Sequence, residues 1–197
     1  MPGPVAAEPL ARERALGALT GLALGDALGM PTQSMSPAQI RRCYGEITGL
    51  RDAVAEQPIA PSVPAGTVTD DTEQALILAG LLIDGGGRID PHQLADALLR
   101  WEDDMRARGS LDLLGPSTKL ALERVRAGAD PHCTGRQGTT NGAAMRVAPV
   151  GIAFSVSADG DALARAVRAS CLVTHDTRQG FEAAGLLAAA VSAAIDG

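Results

Sequence analysis

An oxygen-rich cluster, Thr69-Asp70-Asp71-Thr72, stands directly before an apolar helical stretch. Carboxylate and hydroxyl oxygens are the ligands that hard cations such as Mg²⁺ and Mn²⁺ prefer. The same residue types also cap helices, because they accept hydrogen bonds from the first backbone amides and acids suit the positive end of the helix dipole. One acid is sufficient for capping, whereas a second acid beside it adds repulsion unless a cation is present. The cluster therefore predicts a divalent-metal site.

Four glycines in the first apolar segment, Gly17, Gly21, Gly25 and Gly29, are spaced by four residues, and Asp26 follows the third. On a helix they form one slowly drifting stripe. Each interior glycine costs about 1 kcal/mol relative to alanine, so the stripe must serve a purpose. Two purposes fit the pattern and are compatible with each other. A neighbouring helix approaches closely, or a ligand approaches the backbone and the carboxylate of Asp26.

Two later segments carry groups that suit a phosphate or a sugar. A Gly-rich loop over residues 135–142 contains Gly138, Thr140, Asn141 and Gly142 and precedes Met145-Arg146. Small and hydroxylated residues before a helix can offer backbone amides to an anion, and Arg146 can pair with a carboxylate or a phosphate. His175, in Thr174-His175-Asp176, is predicted at a helix start, where it caps, packs or contacts a ligand. Each signal is weak by itself, because an ordinary loop and helix cap explain it equally.

The elements that position these segments are predicted to be helical, since apolar residues recur at three- and four-residue intervals. Ser36, Pro37 and Gln39 form a capping-box start for the second helix. Pro149 is expected to interrupt a helical stretch. No alternating strand pattern or hairpin signal is present, so the fold class is all-α. The predicted helices cover residues 8–29, 36–45, 69–85, 90–101, 116–128, 161–171 and 174–194, with a surface loop over 50–65.

Composition limits the classes of protein that remain. A length of 197 residues fits a single domain over residues 1–197, and 46% hydrophobic with 2% aromatic residues favours closely packed Ala, Leu, Val and Ile helices. A net charge of −6 argues against general nucleic-acid binding. No stretch is long enough to span a bilayer, and no secretory signal is evident. Three scattered cysteines indicate reduced thiols and a cytoplasmic location. His132 precedes Cys133, but no second Cys/His pair follows at zinc spacing, so zinc is not predicted.

Taken in order, these motifs resemble the ADP-ribosylglycohydrolase family, which includes dinitrogen-reductase-activating glycohydrolases. An Asp-x-x-Gly segment, Asp112-Leu113-Leu114-Gly115, adds to the similarity. Any single motif is weak, whereas the ordered set is specific and covers the chain from about residue 13 to its end. The matching segments are residues 21–29, 69–72, 140–146 and 174–175.

The resemblance implies a compact, orthogonal multi-helix fold that holds two Mg²⁺ or Mn²⁺ ions and hydrolyses a glycosidic bond at the ribose of ADP-ribose. It assigns metal ligation to Thr69, Asp70 and Asp71, with Asp112 near the ribose and the leaving group. Because a bound cation stabilises the charged form of a carboxylate, Asp112 or a metal-bound water is preferred as the base, and Asp71 is the second catalytic candidate. The implied ligand-binding residues are Asp26, Gln33, Gly138, Thr140, Asn141, Gly142, Met145 and His175.

Two departures from the family pattern qualify this expectation. The family has a second metal half-site near its C-terminus, an Asp-x-Asp-Thr/Ser run, and nothing after Thr72 matches it. Either the chain is a fragment that lacks its C-terminal part, or its metal site is incomplete. Some members have a glutamate shortly after the Gly-Asp motif, where Gln33 is the nearest match here, and glutamine cannot act as a general base.

Three hypotheses follow for the function. The first is a metal-dependent glycosidase acting on a small-molecule or ADP-ribosylated substrate, with the leaving group and oligomeric state open. The second is a non-catalytic module that binds ADP-ribose or a nucleotide, which Gln33 and the missing half-site favour. The third is a structural helical protein without a ligand, for which removal of Asp70 would be neutral or stabilising.

Overall fold

The computed structural model describes residues 7–109 and 114–197. In these two ranges the chain is all-α, with ten helices, one 3₁₀ turn at Met30–Thr32 and no strand. No helix in the described ranges combines the length and the apolar character that a membrane crossing requires. The helices are α1 (Ala7–Gly29), α2 (Pro37–Tyr44), α3 (Asp70–Asp84), α4 (Pro91–Ala107), α5 (Pro116–Arg126), α6 (Pro131–Thr134), α7 (Gly142–Met145), α8 (Ala148–Ala153), α9 (Gly160–His175) and α10 (Arg178–Asp196).

Local capping chemistry explains the helix starts that the sequence predicts. Ser36 and Gln39 form the expected capping box at the start of α2, which ends at Gly45 with a positive φ. Thr69 is the N-cap of α3, and its hydroxyl accepts a hydrogen bond from the amide of Asp71. Asp90 caps α4 by accepting from the amides of His92 and Gln93. These boundaries are confirmed.

The core lies among α3, α4, α5, α8, α9 and α10, and it contains aliphatic side chains rather than aromatic rings. Small residues allow the helices to approach closely, since Ala184 and Ala188 of α10 are fully buried. A Cβ at Gly151 of α8 would clash with the carbonyl of Ala188, so α8 and α10 pack with their backbones nearly in contact. Fully buried members of this core include Leu78, Leu98, Leu122, Val147, Val150 and Val167.

The boundary between the last two helices differs from the prediction. Thr174 and His175 end α9 instead of starting α10, and α10 begins at Arg178 with Thr177 as its N-cap. The physical reason is the Thr177 hydroxyl, which accepts from the Gly180 amide at 3.1 Å and donates to the Gly138 carbonyl at 2.6 Å. A capping residue whose second contact lies in a distant loop carries no local signal in the sequence.

The proline-rich segment 50–65 is irregular, as predicted, but it is not simply a surface loop. Ala53, Gln57 and Ala60 are buried. The side-chain nitrogen Nε2 of Gln57 donates to the backbone carbonyls of Met30 at 3.3 Å and Gln33 at 3.2 Å. The segment is therefore attached to the residues that directly follow α1. These contacts place the 50–65 segment against one edge of the cleft described below.

Candidate active site

Asp26 of α1 fixes the start of α3 through four hydrogen bonds. Its Oδ2 accepts from the Thr69 amide at 2.8 Å, the Thr72 amide at 3.2 Å and the Thr72 hydroxyl at 2.6 Å. Its Oδ1 accepts from the Thr69 hydroxyl at 2.7 Å. Both carboxylate oxygens are therefore engaged by protein donors, and Asp26 acts as the group that orients the Thr69–Thr72 cluster.

The hydroxyl of Thr69 faces two carboxylates but carries only one proton. It lies 2.7 Å from Asp26 Oδ1 and 3.2 Å from Asp71 Oδ2. When the proton is donated to the nearer oxygen of Asp26, Thr69 Oγ1 and Asp71 Oδ2 face each other as two acceptors. Two ligands of one Mg²⁺ at about 2.1 Å stand about 3 Å apart on an octahedron, so this pair fits one edge of such a site.

Burial and like charge act on the two acids of the cluster. Asp70 is only 4% exposed, and burial, with the nearby charges of Asp71 and Asp26, raises its pKa to about 7. Burial and the charge of Asp26 also raise the pKa of Asp71. Among the ion pairs of the described residues, none includes either acid. In the described part of the chain the ionised cluster therefore has no ion-paired cation, and a metal ion would neutralise its charge.

The oxygen donors of the cluster do not make a complete metal site among the described residues. Within the described ranges, Asp26, Asp70 and Asp71 do not bring three ligand atoms within 4.8 Å of one another. Thr69 Oγ1 and Asp71 Oδ2 are the two oxygens that stand ready as neighbours, while Asp26 is held by hydrogen bonds. A complete centre would therefore need oxygen ligands in addition to those described.

A cavity of about 430 Å³ opens beside the cluster and runs along α1. Gly21, Gly25 and Gly29 line it, together with Asp26 and Asp71. A Cβ built at any of the four stripe glycines meets no atom of the described chain within 4 Å. Among the described residues, no helix makes the expected close approach to the stripe, and open space faces it. The stripe leaves one wall of the cavity bare, with backbone accessible from the cavity.

A second cavity of about 260 Å³ adjoins the first on the other side of Asp71. Four residues line both cavities, so the two form one continuous cleft: Gln33, Asp71, Asn141 and Met145. The second cavity also contains Asp70, Thr140 and Gly142. Carboxylates thus meet amide and hydroxyl groups of the Gly-rich loop across a cleft whose dimensions suit a small molecule.

Gln33 contributes a buried acceptor to this cleft. Its side-chain oxygen Oε1 has no hydrogen-bond partner in the described residues. Its backbone carbonyl accepts a hydrogen bond from the side-chain Nε2 of Gln57. A buried amide oxygen without a donor is costly unless a ligand or a water supplies one. Gln33 is therefore suited to accept a hydrogen bond from a hydroxyl or amine in the cleft.

The Gly-rich loop packs against the end of α9, which explains part of its glycine content. Cβ atoms at Gly135 and Gly138 would clash with the backbone at residues 172–176, and one at Gly142 would clash with the imidazole of His175. His175 is fully buried, with Nε2 2.9 Å from Thr140 Oγ1 and Nδ1 2.8 Å from Thr174 Oγ1. Gly138 and His175 lie behind the cleft wall, where they hold the loop instead of lining the cavities.

Arg146 is the largest fully buried side chain of the described residues, and no carboxylate is among its hydrogen-bond partners. Its guanidinium donates to Gln74 Oε1 at 3.0 Å, the Ser170 carbonyl at 2.9 Å and Thr174 Oγ1 at 2.7 Å. Burial lowers the pKa of Arg146 to about 10, partly offset by the nearby Cys171 and Asp70. The sequence does not reveal this network, which links α3 to the helix end that carries His175.

The predicted site residues divide into three groups. Six of the eight predicted ligand-binding residues line the cleft, and so do Thr69, Asp70 and Asp71. Gly138 and His175 support it from behind. Asp112 lies outside the described residues, although Leu114 and Gly115, which follow it, line the second cavity. Gly21, Gly25 and Gly29 line the cleft, as the ligand interpretation of the stripe predicted, whereas Met30 and Ile59 are lining residues that were not predicted from the sequence.

Comparison with known proteins assigns the family. The family model for ADP-ribosylglycohydrolase matches residues 7–197. The chain belongs to the ADP-ribosylglycohydrolase family. It is 36% identical over 185 residues to the uncharacterized protein YegU of Escherichia coli (strain K12), covering 94% of this chain and 55% of the relative. An ADP-ribosylarginine hydrolase of Pseudomonas putida (strain GB-1) is 32% identical over 196 residues, covering 95% and 48% of the two chains.

A solved structure supports the same fold for this member of the ADP-ribosylglycohydrolase family. A chain of an ADP-ribosylglycohydrolase-related protein complex superposes with a TM-score of 0.66 at 34% identity. The match covers 90% of this chain and 54% of that chain. The chain therefore spans about half the length of the relatives it matches, and the half that it spans contains the Thr69–Thr72 cluster.

Proposed function

We propose that this chain forms the ADP-ribose-binding half of a metal-dependent glycosidase that cleaves the bond at the anomeric carbon of an ADP-ribosylated or ribosyl substrate. The observation that carries the proposal is the cleft in which Thr69 and Asp71 face the Gly-rich loop. Family membership supports hydrolysis of ADP-ribosylated substrates, and the name of the P. putida relative, an ADP-ribosylarginine hydrolase, is of that kind.

The proposed ions are Mg²⁺ or Mn²⁺, because the available donors are hydroxyl and carboxylate oxygens. Thr69, Asp70 and Asp71 would hold the metal on this half of the site. When bound, such an ion would orient ribose hydroxyls and a water molecule and stabilise the negative charge that develops on that water as it loses a proton. Asp26 keeps the Thr69 and Thr72 hydroxyl protons directed at itself, so that Thr69 Oγ1, which also accepts from the Asp71 amide, keeps one lone pair for a cation.

The remaining roles fall to side chains of the cleft. Asn141 and Gln33 are proposed to hydrogen-bond the sugar, with Gln33 acting as an acceptor because its Oε1 has no other partner. Gln33 cannot accept a proton from water at neutral pH. We assign the basic role to Asp112, whose carboxylate is not among the proposed metal ligands and so keeps a basicity that metal binding would remove.

Calorimetry with ADP-ribose and a hydrolysis assay, each with and without Mg²⁺ or Mn²⁺, test the proposal. Asp71→Asn should weaken metal-dependent ADP-ribose binding at least about tenfold, since one metal ligand loses its charge. Asp84→Asn is the matched control, because Asp84 is an exposed acid at the other end of the same helix. Equal effects of the two substitutions would contradict the proposed site.

Asp112→Asn separates chemistry from binding. It should lower turnover by about two to four orders of magnitude and leave metal affinity unchanged, because general-base catalysis contributes about that much. Equal losses of turnover and metal affinity would remove Asp112 from the basic role and place it among the ligands.

A non-catalytic ADP-ribose-binding module is the second candidate, favoured by Gln33 in place of a glutamate. It predicts metal-stimulated binding of ADP-ribose without turnover, even when the chain is supplied with whatever sequence continues it in the native gene. Turnover by such an extended protein would exclude the module.

A further inference from the structure

Two imidazoles and a carboxylate meet on the surface away from the cleft. His92 at the start of α4 and His132 at the start of α6 have ring centroids 5.3 Å apart in an edge-on arrangement. His132 Nδ1 lies 2.9 Å from Asp130 Oδ1. One ligand atom from each of the three lies within 4.8 Å of the others, the one such triad of metal-ligating side chains in ranges 7–109 and 114–197. None of the three lines the cleft.

The two histidines are presented by the same local device. Asp90-Pro91-His92 and Asp130-Pro131-His132 are identical tripeptides, and each aspartate caps its helix by accepting the amide of the histidine two residues later, at 2.8 and 2.9 Å. The proline fixes φ in the first turn. Both histidine backbones are therefore rigid, whereas the rings extend into solvent. His132 has no second Cys/His pair close to it in the sequence, because His92, its partner in space, comes from a distant helix.

The hydrogen bond to Asp130 prepares His132 as a ligand. A carboxylate that accepts from Nδ1–H fixes the tautomer in which Nε2 carries a free lone pair, as it does around bound zinc. Zinc stands about 2.0–2.1 Å from imidazole nitrogen, so two ligand atoms on a tetrahedral ion are about 3.3 Å apart. His92 and His132 are both exposed, so rotations of their side chains would bring one nitrogen of each to that spacing without a backbone shift.

We propose that His92 and His132 bind a divalent transition-metal ion such as Zn²⁺, with Asp130 orienting His132 and offsetting part of the ion's charge. Water completes the coordination, and the ion links α4 to α6. Imidazole nitrogens suit Zn²⁺, Ni²⁺ and Cu²⁺, whereas Mg²⁺ and Mn²⁺ prefer the oxygen donors of the cleft. The site is thus chemically distinct from the Thr69–Thr72 cluster and takes a different class of ion.

Titration of the full chain with Zn²⁺ by calorimetry, in millimolar Mg²⁺ to occupy oxygen sites, tests the proposal. The wild type should bind one equivalent with micromolar affinity. His92→Asn and His132→Asn should each weaken binding more than about tenfold, and Asp130→Asn by about 10–100-fold, as expected for loss of an orienting carboxylate. Asn is as good an N-cap as Asp, so Asp130→Asn keeps the helix start intact.

Asp90→Asn is the matched control, because it makes the same charge change in the same tripeptide at an aspartate that contacts the His92 amide but neither imidazole. It should leave Zn²⁺ affinity unchanged. Zn²⁺ in hundredfold excess over its Kd should raise the wild-type melting temperature by about 5 °C and leave that of the double histidine variant in place. Melting temperatures without Zn²⁺ show that each variant is folded. The proposal would be overturned if the wild type did not bind Zn²⁺, or if the double histidine variant still bound it. It would also be overturned if Zn²⁺ binding were lost only in Asp71→Asn.

Discussion

Replacing Gly25 by alanine separates the helical cost of the glycine stripe from its use in the cleft. Gly25 is an exposed interior residue of α1, and a Cβ there meets no atom of the described chain within 4 Å. Alanine favours the helix over glycine by about 1 kcal/mol, and no clash offsets this difference, so the substitution should raise the free energy of unfolding by most of that amount. For a chain of this size, a gain of that magnitude raises the melting temperature by about 2–4 °C.

The same methyl group points into the cavity of about 430 Å³ that Asp26 and Asp71 also line. A ligand that packs on the bare backbone of α1 would meet an extra carbon, and overpacking of this kind costs about 1–3 kcal/mol. Because 1.4 kcal/mol corresponds to a factor of ten, binding of ADP-ribose should weaken about tenfold or more. Gly25→Ala is thus expected to stabilise the protein and impair the site together.

Gly17→Ala provides the control within the same stripe. Gly17 is exposed and helical like Gly25, but it lines neither cavity. It should give a similar rise in melting temperature with unchanged ADP-ribose affinity, measured by calorimetry under identical metal conditions. If Gly25→Ala binds as tightly as Gly17→Ala, the stripe is not a ligand surface. If Gly25→Ala lowers the melting temperature, the open space beside α1 is not available in solution.

Two further predictions concern buried titratable groups. Asp70→Asn should raise the free energy of unfolding in metal-free buffer above pH 7 by a few kcal/mol, because the pKa of Asp70 is raised to about 7 and ionisation of the carboxyl therefore penalises folding. Thermal melts should show this gain shrinking as pH falls towards 4, whereas a pH-independent gain would contradict the raised pKa. Saturating Mg²⁺ should stabilise the wild type selectively. Burial, with the charge of Arg146, lowers the pKa of His175 to about 4. The neutral imidazole of the folded state should therefore contribute about 3 kcal/mol to the free energy of unfolding above pH 6.5, and this contribution should be lost as pH falls towards 4. The melting-temperature gap between wild type and His175→Gln should narrow over that window, and parallel curves would show that His175 is not held neutral by the fold.

Capping signals could be predicted from the sequence because they are local. The starts of α2 and α4 depend on residues within three positions of each helix, so Ser36 and Asp90 identify them directly. Thr69 likewise marks the start of α3, although the hydrogen bonds that Asp26 adds there come from a distant helix and have no local signal. The start of α10 could not be predicted in the same way. Thr177 caps it while donating to Gly138 in a distant loop, and that contact decides which of several polar residues between Thr174 and Thr177 begins the helix.

The glycines show why a pattern of residue types leaves its purpose open. Absence of a Cβ serves a close packing contact and an open ligand surface equally, and only the tertiary neighbour distinguishes them. Gly138 and Gly151 lie where a Cβ would clash with backbone, whereas the regularly spaced stripe on α1 faces empty space. The regular spacing that suggested helix packing thus belongs to the cleft, and isolated glycines make the close contacts.

Helix capping, the alternative that the composition left open, explains only part of the Thr69–Thr72 cluster. Thr69 Oγ1 accepts from the Asp71 amide, and Asp26 accepts from the Thr72 amide, so these two N-terminal amides of α3 have acceptors other than Asp70 and Asp71. Backbone hydrogen bonds favour the ionised forms of Asp70 and Asp71, but burial and like charge outweigh them and raise both pKa values. The cation proposed above would offset that cost, and the response of Asp70→Asn to Mg²⁺ distinguishes this explanation from a purely structural one.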